Sequence, residues 1–178
     1  TFVAPEIDGN VRTLAVQADD RLFIGGDFLR VNGVARNRLA RLQLNGALDT
    51  GFNTGTGASG SVLVLVVLPD GKLLAGGGFS SFNGSVEGFL TRLNADGSLD
   101  GAFNPGGTGA NSTVNTLLRQ SDGRILLGGA FTTYNGGTAN RVLRILADGT
   151  IDPAFSTGSG LNSTVNALGL HADGNIVV

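Results

Sequence analysis

Acid–base or nucleophilic chemistry needs a histidine, a cysteine or an activated carboxylate near a partner, and this sequence holds one histidine, His171, and no cysteine. Hydrolase-type nucleophile–base pairs have almost nothing to be built from, and thiolate metal sites and disulfides are excluded. Glu87 and Asp27 are the carboxylates that could serve as acid and base in a glycan-active site. Asn94-Ala95-Asp96-Gly97-Ser98-Leu99-Asp100 sets oxygen-bearing side chains at alternate positions around a glycine, the pattern of a calcium loop. Arg41, Arg92 and Arg144 each stand eight residues before Asp49, Asp100 and Asp152. Such arginines could hold a ligand carboxylate or pair across a hairpin. Val31, Phe82 and Tyr134 each precede Asn-Gly, and rings exposed there could stack on sugars as in a lectin-like adhesin. Asn83-Gly84-Ser85, Asn111-Ser112-Thr113 and Asn162-Ser163-Thr164 match the N-glycosylation pattern, which loops rich in Asn, Ser and Thr generate by chance.

These groups recur because the chain repeats itself. Gly25-Gly26-Asp27-Phe28, Gly76-Gly77-Gly78-Phe79 and Gly128-Gly129-Ala130-Phe131 lie 51 and 52 residues apart. Asn32-Gly33, Asn83-Gly84 and Asn135-Gly136 hold the same phase, as do Leu48-Asp49, Leu99-Asp100 and Ile151-Asp152, and then Phe52, Phe103 and Phe155. Several markers in one register make a tandem repeat. Phe2 aligns with Phe52, and Val165–Val178 aligns with Val11–Ile24. The phase divides one propeller-type domain into the tail of a preceding repeat (1–10), three full repeats (11–61, 62–113 and 114–164) and the start of a fourth (165–178). It predicts a stretch of something longer.

The repeat weighs each candidate. His171 takes the place of Gln17, Leu68 and Gln120, which reads as a solvated strand end. The calcium pattern loses its first oxygen at Leu44 and Leu146, so a hairpin turn explains all three copies and no metal or other cofactor is expected. The Arg/Asp pairs read as cross-strand ion pairs, worth under ~1 kcal/mol if exposed. Val31 in the aromatic series favours packing of the loop over the sheet. Glu87 and Asp27 are not repeated, and unique residues are where a site can hide on a symmetric scaffold. Glu87 otherwise reads as a surface charge.

Each repeat must be built from hairpins. Val114, Leu117 and Leu118 form a short apolar run before Ser121-Asp122-Gly123, and Arg124–Gly129 follows. Asp-Gly between apolar runs is a strong hairpin signal, read here as a tight turn with both central residues at positive φ. Ala18-Asp19-Asp20 is a weaker form of it. A second hairpin turns at Asn45-Gly46, Asp96-Gly97 and Asp148-Gly149. Four strands, two turns and a Gly/Ser/Thr/Asn linker give about 51 residues, the size of a four-stranded antiparallel propeller blade. The Gly pairs predict a close backbone approach. Phe28, Phe79, Phe103, Phe131 and Phe155 are expected to fill the space between sheets. A β-solenoid is the alternative, disfavoured by the tight hairpins.

Net charge is −2, charged residues are 15% and apolar residues 41%. The chain is therefore expected to fold, and it has no basic stripe for nucleic acid or anionic membrane. No apolar run is long enough for a membrane helix.

The segment 25–42, Gly-Gly-Asp-Phe through Asn-Gly to Arg-Asn-Arg-Leu-Ala-Arg-Leu, with Asp96–Asn104, resembles the bacterial delta-60 repeat. The resemblance covers essentially the whole chain. It implies an all-β β-propeller of unknown function, common in large secreted or surface proteins, and it brings no catalytic or binding residues. Glu87-Gly88-Phe89 departs from the pattern where Arg36-Asn37-Arg38 keeps it. The function expected is a non-catalytic structural or binding module, adhesion-type, meeting a protein or glycan through its loops on the bacterial surface or outside the cell. Alternatives are a glycan-active enzyme on the propeller face and a self-assembling surface component whose ring is completed by further repeats or chains.

Overall fold

A computed structural model describes residues 1–178, and in it every regular element is a β-strand. The first repeat forms β1 (Val11–Val16), β2 (Leu22–Gly26), β3 (Arg30–Val31), β4 (Val34–Ala35) and β5 (Leu39–Leu42). The second forms β6 (Val62–Val67), β7 (Leu73–Gly77), β8 (Ser81–Phe82), β9 (Ser85–Val86) and β10 (Leu90–Leu93). The third forms β11 (Val114–Arg119), β12 (Ile125–Gly129), β13 (Thr133–Tyr134), β14 (Gly137–Thr138) and β15 (Val142–Ile145), and β16 (Gly169–Leu170) with β17 (Ile176–Val177) opens the next. In each full repeat the second strand is central, flanked antiparallel by the first and fifth. The third and fourth strands make a separate small hairpin.

The sheets therefore have three strands where four were expected, and they are small and not closed into a ring. The segment meant as the fourth strand touches the fifth at single bridges, Leu42 to Leu48, Leu93 to Leu99 and Ile145 to Ile151. A local cause is visible. Asp49, Asp100 and Asp152 follow at once, and each accepts the N–H two residues on, from Gly51, Ala102 and Ala154, bending the chain into a turn.

The turns differ from expectation in kind. At Asp70-Gly71 and Asp122-Gly123 only the glycine has positive φ, 82° and 89°. The aspartate instead accepts the N–H of Lys72 or Arg124, giving a three-residue loop closed by glycine. Both central residues are left-handed at Asn32-Gly33, with φ of 50° and 74°, and likewise at the two later Asn-Gly steps.

The Gly pair answers two approaches. A Cβ on Gly26, Gly77 or Gly129 would sit 2.0–2.1 Å from the carbonyl oxygen of Asn10, Ser61 or Thr113, where the first strand bulges. A Cβ on Gly25, Gly76 or Gly128 would meet Val62, Val114 or Val165 at the start of the next repeat. First strands of successive sheets thus lie side by side, β1 by β6 and β6 by β11.

The central strands β2, β7 and β12 are covered on both faces, which is why they read as unbroken apolar runs. One core cluster joins Phe23, Leu39 and Phe52 of the first repeat to Leu73, Phe79 and Phe82 of the second. Another joins Leu74 and Leu90 to Leu127, Phe131 and Tyr134. Phe28, Phe79 and Phe131 are fully buried as expected. Phe103 and Phe155 are only partly buried, each with an arginine over its ring.

Candidate functional site

The repeated arginines and aspartates meet in every sheet. Arg41 Nε lies 2.8 Å from Asp49 Oδ2, and the Arg92–Asp100 and Arg144–Asp152 contacts are each 2.7 Å. A second cation, unforeseen, joins each: Arg21 at 3.1 Å, Lys72 at 2.8 Å and Arg124 at 3.0 Å. These three residues keep the repeat spacing just ahead of the second strand, so the signal was present in the sequence. Each arginine also covers a phenylalanine ring, with 5.0 Å from Arg41 to the Phe52 centroid and 4.8 Å in the other two copies. The pairs cross the hairpin as expected, and the aspartate side chains are largely buried. Burial raises the Asp100 pKa, but hydrogen bonds from Lys72, the Ala102 N–H and Arg92 outweigh it and bring it down to about 2. Asp49 is lowered by the same balance, and Asp152 is lowered chiefly by the Ala154 N–H.

These arginines also join sheets. Arg41 Nη1 donates to the Ala95 carbonyl of the second repeat, and Arg92 Nη1 to the Ala147 carbonyl of the third. Backbone bonds run alongside, from Asn53 N–H to Asp96 O and from Asn104 N–H to Asp148 O. The Asn-Gly tips make another clasp. Asn32, Asn83 and Asn135 each accept, through the side-chain oxygen, an N–H of the linker preceding their sheet, from Glu6, Thr56 and Gly109. Nothing in a single repeat announces these contacts, since both partners lie in different repeats.

The other candidates are engaged locally or buried. Val31, Phe82 and Tyr134 are fully buried, so they are no stacking platform, and the Tyr134 hydroxyl donates to the Gly149 carbonyl. His171 is exposed beside a hairpin turn, with Nδ1 2.9 Å from Asp173. In the calcium-like loop, Asp96 Oδ1 accepts from the Ser98 N–H and hydroxyl, while Asp100 belongs to the ion-pair cluster. No group of three His, Cys, Asp or Glu side chains is placed to hold a metal ion. Asp27 accepts hydrogen bonds from Ser61 and Arg12, which lower its pKa and fasten the end of the linker to the first sheet. Asn111 holds the Thr132 and Thr133 N–H groups. No helix is long and apolar enough to cross a membrane.

Glu87 is different. It lies where β9 ends and takes the place of Arg36 and Ala139. Its carboxylate is half-buried, burial pushes its pKa up, and its one side-chain partner is the Thr91 hydroxyl at 3.0 Å. Thr91 is itself buried, at the position of Ala40 and Leu143. Glu87 lines an open pocket of about 340 Å³ with Ser85, Leu90, Asp100, Phe103 and Asn104. The pocket wall continues through Pro105-Gly106-Gly107. Here the linker is one residue longer than in the first repeat, which produces the single 52-residue step. A Cβ on Gly88 would sit 2.1 Å from the Thr108 carbonyl, so strand end and linker are in tight contact behind the pocket.

A family model described as a domain of unknown function (DUF5122) beta-propeller matches residues 17–52, 68–103 and 120–155. Each matched stretch begins after the first strand and ends at Phe52, Phe103 or Phe155, in the register of the Gly-Gly pairs. It is shorter than the full period, because linker and first strand fall between matches. A search of curated proteins finds no match. With over half of its residues matched, in three copies that coincide with its three sheets, this chain belongs to that beta-propeller family of unknown function.

Proposed function

We propose that this chain is a non-catalytic structural or binding repeat module of a secreted or surface bacterial protein, presenting its loops to a protein or glycan partner. The observation carrying this reading is the use made of its charged groups. In each repeat a buried aspartate is held by two cations, one of them over an aromatic ring, and in the first two repeats that arginine also bonds to the next sheet. Such groups build a scaffold and have no free valence for chemistry. The blades are read as four-stranded units of about 51 residues whose outer strand is reduced to one bridge in each. Incubating the chain with arrayed glycans and candidate surface proteins, with mass spectrometry of the recovered ligands, tests the reading. Retention of a ligand unchanged supports it. Turnover of a glycan or peptide, lost on Glu87→Gln or Asp27→Asn, replaces it with the enzyme reading.

A second reading, end-on association with further repeats or another copy, is favoured by one specific feature. Val11 and Leu14 on β1 are exposed, while their counterparts Val62, Leu65, Val114 and Leu117 are buried, with the preceding sheet against them.

A further inference from the structure

We infer that the pocket beside Glu87 is a binding site for a small hydroxylated ligand carrying a protonated amine, of the amino-sugar class. The inference goes beyond the module reading, which places partners on the loops in general. Three departures from the repeat coincide at this spot. Glu87 stands where the neighbouring repeats have Arg36 and Ala139, so the local charge is reversed or created. Thr91 replaces Ala40 and Leu143 and bonds to that same carboxylate. The linker residue added in this repeat lies in the pocket wall. Repeats diverging independently would scatter such changes, whereas here they converge on one concavity.

The chemistry of the lining selects the ligand. Asp49, Asp100 and Asp152 are each held by two cations, but no Lys, Arg or His pairs with Glu87. A half-buried carboxylate without a counter-charge favours a cationic ligand over a neutral one. Asp100 also borders the pocket but is already neutralised by Lys72 and Arg92, which leaves one free negative charge, too few for a divalent metal. Ser85 offers a hydroxyl partner, and Val86 and Phe103 supply apolar surface for a ring. The volume of about 340 Å³ falls at the small end of ligand pockets, suited to a single sugar ring.

Isothermal titration of the chain with glucosamine, and with glucose as its neutral counterpart, tests the assignment at neutral pH. Glucosamine should bind at least about tenfold more tightly than glucose, the discrimination expected of one charge-assisted hydrogen bond. Glu87→Gln and Glu87→Ala should both remove that preference. Glutamine is nearly isosteric, and alanine is what the third repeat carries, so thermal unfolding should show both variants folded. Equal binding of the two sugars, no detectable binding of glucosamine, or an undiminished preference in folded Glu87→Gln would each overturn the site. A ligand retained elsewhere on the arrays would then leave the module reading standing. Conversely, glucosamine bound at Glu87 with every array blank would sink the loop-partner reading alone.

Discussion

At the residue scale, the buried aspartates make stability depend on acidity. The folded pKa of Asp100 is about 2, below the ordinary aspartate value, so the folded state holds this proton more weakly than the unfolded chain. A depressed carboxylate contributes stability that is fully present above the unfolded value and lost as pH falls toward the folded one. Asp49 and Asp152 shift the same way and add to the effect. Thermal midpoints should therefore decline between about pH 4 and pH 2. Asp100→Asn should lower the midpoint at neutral pH and flatten that decline, which scanning calorimetry at a series of pH values would check. A second residue-scale prediction concerns Asp20, whose φ is 64° where the later repeats place Gly71, Gly123 and Gly174. A left-handed non-glycine residue costs about 1 kcal/mol, partly offset by the chain entropy that glycine loses on folding. Asp20→Gly should raise the unfolding free energy by about 0.5 kcal/mol, and chemical denaturation would show no gain if the turn relaxes instead.

At the element scale, what could be read in the sequence depended on whether the cause was local. The hairpins, the all-β class and the close approach at the Gly pairs were legible, because alternation, Asp-Gly turns and missing side chains act within a few residues. The failed fourth strand was less so. Leu48, Leu99 and Ile151 have the apolar character of strand residues, and only the adjacent aspartates, by capping the next turn, cut the pairing to one bridge. The candidate site divided in the same way. Glu87 stood out as an unrepeated charge, but its pocket needed the linker at Asn104–Gly107 folded back against it, a contact that no spacing announces. The Gly pairs yield a test with an internal control. Gly77 has no positive φ, yet a Cβ there would sit 2.1 Å from the Ser61 carbonyl, while a Cβ on Gly78 meets nothing within 4 Å. Gly77→Ala should destabilise by about 1–3 kcal/mol through overpacking. Gly78→Ala should be neutral or slightly stabilising. Equal effects of the two changes in urea titrations would refute the steric account.

At the scale of the whole molecule, stacking makes the first sheet unlike the two that follow it. In an array whose sheets touch only their neighbours, an inner residue is covered by the sheet before it, and an outer one is not. Leu14 is 60% exposed, against 7% and 8% for Leu65 and Leu117 in the same position of later repeats. Truncating Leu65 should thus cost about 2–5 kcal/mol, as for a buried leucine, and truncating Leu14 in the isolated chain almost nothing. If β1 is a face for another sheet, the difference should vanish on association. Raising protein concentration should then give larger species in sedimentation velocity, and the thermal midpoint should rise with concentration, since association stabilises the folded state by mass action. The pair of changes Leu14→Asp and Val16→Asp should abolish both trends without unfolding the chain. A sedimentation profile that stays monomeric at all concentrations, with identical midpoints for both proteins, would mean that this apolar face is simply tolerated in water.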